Sequence, residues 1–85
     1  MSAIRVLVAD EAAVREDVKR LLYFEDDIRV VGEAGDGQEA IRLAERLRPD
    51  IVLLEIDIPK LDGIAAAEAI AERLPDAGII ITGSR

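Results

Sequence analysis

Four short runs of aliphatic, largely β-branched residues alternate along the chain with three segments of helical periodicity. The runs are IRVLVAD (Ile4–Asp10), IRVVGEA (Ile28–Ala34), DIVLLE (Asp50–Glu55) and AGIIITG (Ala77–Gly83). Between them, AAVREDVKRLLYF (Ala12–Phe24) spaces Val14, Val18, Leu21 and Leu22 on one helix face. DGQEAIRLAERL (Asp36–Leu47) does the same with Ala40, Ile41, Ala44 and Leu47, and Pro49 stops it. Its opening Asp36, with Glu39 three residues on, has capping-box spacing. GIAAAEAIAERL (Gly63–Leu74) turns Ile64, Ala67, Ile70, Ala71 and Leu74 inward, with Pro75 beyond. The order βαβαβαβ predicts a parallel sheet, because a crossover helix returns the chain to the same edge each time. Strands that read as unbroken apolar runs are those covered by helices on both faces. A three-layer α/β fold in one domain spanning residues 1–85 is the expectation.

Composition narrows the chemistry. At 85 residues there is room for one small domain, whose core must be aliphatic because only Tyr23 and Phe24 are aromatic. The absence of Cys excludes disulfides and thiolate metal sites; the absence of His removes the usual general base and the commonest transition-metal ligand. A formal charge of −7 disfavours direct binding to nucleic acid. No apolar run approaches the roughly 20 residues of a membrane span, and MSAIRVLV lacks a secretory signal pattern, so a soluble cytoplasmic protein is expected.

In an open parallel sheet, ligands sit beyond the C-terminal ends of the strands, where strand order reverses. Asp10 and Glu11 follow the first strand. Glu33 and then Gly35-Asp36-Gly37 close the second, Glu55 and Asp57 the third, and Thr82, Gly83 and Ser84 the fourth. If the first and third strands are neighbours, Asp10, Glu11 and Glu55 share one cleft. Like charges so placed raise one another's pKa, and a hard cation such as Mg²⁺ is the simplest remedy. Other roles stay open: Asp10 as N-cap of the first helix, Asp36 as a cap only, and Asp62 as a turn residue starting the third helix.

IRVLVADEAAVRE, VVGEAGDGQEAIRLAERLRPDIVLLEIDIPKLDGIAA and IIITGS together resemble the receiver domain of bacterial two-component response regulators, of the kind that precedes helix-turn-helix output domains. The resemblance implies a flavodoxin-like sheet, here of four strands in the order 2-1-3-4 with three crossover helices, truncated after the fourth strand. It implies an acid pair, Asp10 and Glu11, that holds Mg²⁺ together with the acceptor carboxylate and the backbone carbonyl of Asp57. Thr82 matches the switch hydroxyl, and Pro59 and Gly63 match the turn after the third strand. Counting back four from Pro59 reaches the phospho-acceptor position, where the family has Asp and this chain has Glu55. A side chain one methylene longer is poorly placed for in-line transfer, so Glu55 is expected not to accept phosphate and to act as a partial phospho-mimic. The chain reaches Arg85 without the family's fifth strand and its Lys. The fourth strand is then an exposed apolar edge, a template for self-association.

The resemblance implies a sensor histidine kinase and an output domain as partners, with no enzymatic activity, no direct nucleic-acid contact and no membrane contact of its own. The alternatives are a pseudo-receiver serving as an interaction or dimerisation module, and, more remotely, a Mg²⁺-dependent phosphohydrolase with a carboxylate nucleophile.

Overall fold

A computed structural model describes residues 3–83. The elements run β1 (Ile4–Ala9), α1 (Ala12–Leu22), β2 (Ile28–Ala34), α2 (Gly37–Leu47), β3 (Ile51–Glu55), α3 (Gly63–Arg73) and β4 (Gly78–Thr82). All strand pairs are parallel, as the alternation predicts, and the sheet order is β2-β1-β3-β4, as the resemblance implies. Central β1 pairs with β3 from Val6↔Ile51 to Ala9↔Leu54, and with β2 from Ile4↔Ile28 to Ala9↔Ala34, across an irregularity between Val6 and Leu7.

Strand alternation sends Leu7, Ala9, Val52 and Leu54 to one face, where they meet Ala40 and Ala44 of α2 and Ala66 and Ile70 of α3 in a single fully buried cluster. The opposite face, carrying Val8, Leu53, Glu55 and Thr82, faces α1. No residue of α1 is buried. The two faces therefore differ sharply: α2 and α3 seal one, and α1 half-covers the other.

Three details differ from the periodicity. The first helix ends at Leu22, since Tyr23 and Glu25 donate their N–H groups to Arg20 and Leu22 carbonyls in a tight turn. Leu21 is left exposed. In α3 the buried row is Ala66, Ile70 and Leu74, while Ile64 and Ala71 are exposed. The rotation of α3 is fixed at its start: a Cβ on Gly63 would lie 2.6 Å from the Glu55 carbonyl oxygen, so the helix begins against the end of β3 itself. Gly37 marks a similar close approach for α2, where a Cβ would collide with the Leu61 carbonyl oxygen.

Two polar clamps set the ends of α2. At its start Asp36 accepts the Glu39 N–H at 2.8 Å, and Glu39 returns the favour to the Gly35 N–H at 2.8 Å, one residue earlier than a standard capping box. At its end, where helix carbonyls lack partners, the Arg5 guanidinium donates to the Leu47 and Arg48 carbonyls at 2.8 and 2.9 Å. Asp50 accepts the Arg5 N–H at 2.8 Å, tying the same corner to β1.

The Glu39 N–H, helped by Lys60 at 3.5 Å, holds the Asp36 carboxyl below its ordinary value. A depressed carboxyl stabilises the fold above its unfolded-state value, 3.8, and that contribution is lost as pH falls through the lower folded-state value. Asp36→Ala is therefore expected to melt below the parent at neutral pH, with the gap narrowing below about pH 4. Thermal melts of both proteins across that range check this; a gap independent of pH refutes the charged cap.

Candidate functional site

One step beyond the Val8↔Leu53 and Ala9↔Leu54 pairs, the chain places Asp10 at the end of β1 beside Glu55 at the end of β3. Glu55 in turn pairs with Thr82 at the end of β4. Alternation puts all three on the face of α1. Two adjoining cavities follow. One, of about 330 Å³, is lined by Asp10, Glu11, Glu55, Asp57 and Pro59 among others. The other, of about 250 Å³, runs beneath α1 and is lined by Val14, Val18, Leu53, Asp10, Glu55 and Thr82 among others. Asp10 and Glu55 belong to both.

Asp10 is 8% exposed, the buried charged side chain among the described residues. It is not the N-cap of α1: Glu11 occupies that position, without a side-chain cap bond, and Asp10 Oδ1 accepts the Glu11 N–H at 2.7 Å. A buried carboxylate normally has a cationic partner, and no described Lys or Arg forms an ion pair with it. Glu11 itself is exposed. Glu55 is half-buried, and its Oε1 curls back to accept the Asp57 N–H at 3.3 Å. Among the described residues no three acidic side chains are drawn together tightly enough to form a ready metal site. The expected convergence of Asp10, Glu11 and Glu55 is thus a shared cavity wall and not an assembled ligand set. The donor set is nonetheless all oxygen, with one buried carboxylate at its base, which fits a hard, partly hydrated cation such as Mg²⁺.

Glu33 is not part of this cleft; its carboxylate is held by Arg15 at 3.2 Å and Lys19 at 3.1 Å on α1. Asp36 and Asp62 are caps, the latter accepting the Ala65 N–H at 2.8 Å. Ser84 lies outside the described residues. Arg15 was invisible as a site residue in the sequence. Its Nη1 donates to the Asp10 carbonyl at 2.7 Å, bracing the backbone that carries the buried acid. The one signal in the sequence is a cation five residues past the acid, in the first turn of α1. The turn after β3 is built as Pro59 and Gly63 suggested. The Pro59 carbonyl accepts the Gly37 and Leu61 N–H groups at 3.0 and 2.9 Å, and the Ile56 carbonyl accepts the Gly63 N–H at 2.9 Å. Lys60, at φ 70°, takes the left-handed conformation that closes it.

The family model for the response regulator receiver domain matches residues 6–85. The chain belongs to the response regulator receiver family. It is 50% identical over 70 residues to the transcriptional regulatory protein PdtaR of Mycobacterium tuberculosis, a match covering 81% of this chain and 34% of that protein. The response regulator domain of Thermotoga maritima CheB superposes with a TM-score of 0.91 at 38% identity, over 96% of this chain and 61% of that one. The receiver domain of sensor histidine kinase PA1611 from Pseudomonas aeruginosa has magnesium coordinated in its active-site cleft. It matches with a TM-score of 0.76 at 29% identity, over 94% of this chain and 66% of that one. The chain spans about a third of the length of curated relatives such as PdtaR and DegU, at 34% and 32%. The receiver fold, with its sheet order and three helices, is the fold of these solved relatives. No described helix is long and apolar enough to cross a membrane.

A buried carboxylate without a cation costs stability, and neutralising it relieves that cost while an amide oxygen still accepts the Glu11 N–H. Asp10→Asn is expected to stabilise the receiver by on the order of 1 kcal/mol in the presence of a chelator. Urea unfolding measures it, and a variant less stable than the parent contradicts this account of Asp10.

Proposed function

We propose that this chain, residues 1–85, serves as the receiver module of a cytoplasmic response regulator, and that Glu55 in place of an acceptor Asp makes it a poor phosphoryl acceptor. In a longer parent it would couple a sensor histidine kinase to an output domain, with no catalysis of its own. The observation that supports this best is the row Asp10, Glu55, Thr82 across three parallel strand ends, on one wall of shared cavities.

Asp10 and Glu55, with the Asp57 carbonyl and with Glu11 at the rim, are the oxygen donors for a weakly held Mg²⁺; magnesium in the cleft of the PA1611 receiver supports that assignment. When bound, the ion would neutralise phosphoryl oxygens during transfer. Arg15 keeps the Asp10 backbone in place through its carbonyl. Thr82 is one strand away from Glu55 and is the hydroxyl that would sense negative charge there. A Glu carboxylate carries about one charge against the 1.5 to 2 of a phosphate monoester, so the mimicry is partial.

Incubated with acetyl phosphate and Mg²⁺, the parent chain is expected to show no phosphoryl adduct by intact mass, whereas Glu55→Asp gains one. A stoichiometric adduct on Glu55 overturns the proposal. Mg²⁺ binding followed by NMR should vanish in Asp10→Ala.

A second reading, an interaction module, is favoured by β4. Its outer edge is unpaired within the described residues, and Ile80 and Ile81 are 50% and 42% exposed. An apolar open edge is a template for strand pairing. Sedimentation velocity of the chain is expected to show a dimer that weakens in Ile80→Lys; a stable monomer at high concentration refutes edge pairing.

A further inference from the structure

The only two aromatic residues of the chain stand side by side in solvent. Tyr23 is 78% and Phe24 85% exposed, their rings packed edge to face with centroids 4.9 Å apart, and Leu21 beside them is 78% exposed. They sit at the C-terminal end of α1, at a groove of about 360 Å³ whose walls include Lys19, Tyr23, Glu25, Asp26, Ile28 and Arg29. Ile28 opens β2 and pairs with Ile4 at the start of β1, so the groove lies at the end of the sheet opposite the Asp10 cleft. Nothing in the receiver chemistry uses it.

Charge decides what suits this surface. Glu25, Asp26 and Asp27 are consecutive, exposed and outside the described ion pairs. The cations nearest in sequence are already engaged: Lys19 with Glu16 at 2.6 Å and Glu33 at 3.1 Å, and Arg20 with Asp17 at 3.6 Å. Of the two cations lining the groove, Lys19 is thus engaged, which leaves Arg29 beside Glu25 and Asp26, with Asp27 next in sequence. The carbonyl end of α1 adds further negative potential at the same place. Two exposed rings beside unneutralised carboxylates offer a receptor for guanidinium or ammonium groups carried among apolar side chains. Isolated exposed apolar residues need no explanation, but three close together in sequence beside a run of three acids mark a contact surface.

We infer that the Leu21–Tyr23–Phe24 surface with the Glu25–Asp27 rim docks a basic, apolar-rich segment of a partner protein, with Arg or Lys side chains over the rings. The contact is independent of Mg²⁺ and of the phosphorylation state of the opposite end.

The test uses the full chain, labelled with ¹⁵N, and two short synthetic peptides: one of Arg, Leu and Ala, the other with Glu in place of every Arg. The Arg peptide is expected to bind, moving the amide signals of residues 21–29, while the Glu peptide does not. Tyr23→Ser with Phe24→Ser should weaken binding roughly tenfold, the scale of one desolvated cation–π contact. Asp26→Asn with Asp27→Asn should weaken it and flatten its salt dependence. Because these side chains are exposed, the variants are expected to keep the parent amide spectrum elsewhere. Unchanged affinity in the aromatic double variant overturns the inference. So does a shift pattern centred on Asp10 and Glu55, which would mean that the peptide only senses the acidic cleft. A dimer abolished by the Tyr23 and Phe24 changes would overturn it too, by assigning the surface to a second copy.

Discussion

The parallel pairing of β1 with β3 is the constraint from which the rest of the molecule follows. Register from Val6↔Ile51 to Ala9↔Leu54 buries the central strand on both faces and stops both strands at the same level. Two acids at the ends of these strands, 45 residues apart in sequence, then share a cavity, and Arg15 braces the backbone of one of them. A slip of one residue would turn Leu7 and Ala9 away from α2 and α3 and take Asp10 out of the cleft in the same motion. Fold and site are specified by one set of backbone hydrogen bonds.

The second consequence is asymmetry. The fully buried cluster lies almost entirely between the sheet and α2 and α3, where Ala40, Ala44 and Ala66 let the helices come close. On the other face α1 buries no residue completely, and the cavity lined by Val14, Val18 and Leu53 runs under it to Thr82. Rigid packing thus holds the strand ends in register from one side, while the chemical groups project to the looser side. Local stability follows buried apolar contact. The face on which Glu55 and Thr82 stand is the face with least of it.

What the sequence made legible depended on the kind of interaction. Alternating apolar runs and helical spacing are read locally, so the element order, the parallel sheet and the strand ends carrying Asp10, Glu55 and Thr82 were all visible. Asp36 and Glu39 declared a cap because the partners are three residues apart. What stayed hidden is set by contacts distant in sequence. Arg5 closes α2 across 42 residues, and its role depends on where Leu47 ends up. Ala66 replaced Ile64 and Ala71 in the buried row because Gly63 locks the helix against Glu55, which periodicity within α3 does not register. Asp10 and Glu11 looked alike as consecutive acids, yet one is buried at the strand end and the other is an exposed cap position. Alternation along a strand separates neighbours, and only the end point of β1 decides which of them faces the cleft.

Glu55 is where these threads meet. Its extra methylene gives the carboxylate two places to go from one backbone position. In this structure Oε1 turns down to the Asp57 N–H, at 3.3 Å, near the long limit for such a bond. A bond that long, between residues two apart on the rim of a cavity, is among the weakest contacts in the cleft. The other place is across the sheet toward Thr82, its registered neighbour. An Asp at the same point, one methylene shorter, can still accept the N–H two residues on but reaches less far across the sheet toward Thr82. As proposed above, Glu55 would be a poor acceptor and at the same time a carboxylate with two positions open to it. On the proposed reading, charge near Thr82 then depends on the balance between the Asp57 N–H and whatever cation joins Asp10. Occupancy of the cleft would take over part of the control that phosphorylation exerts when an Asp stands there.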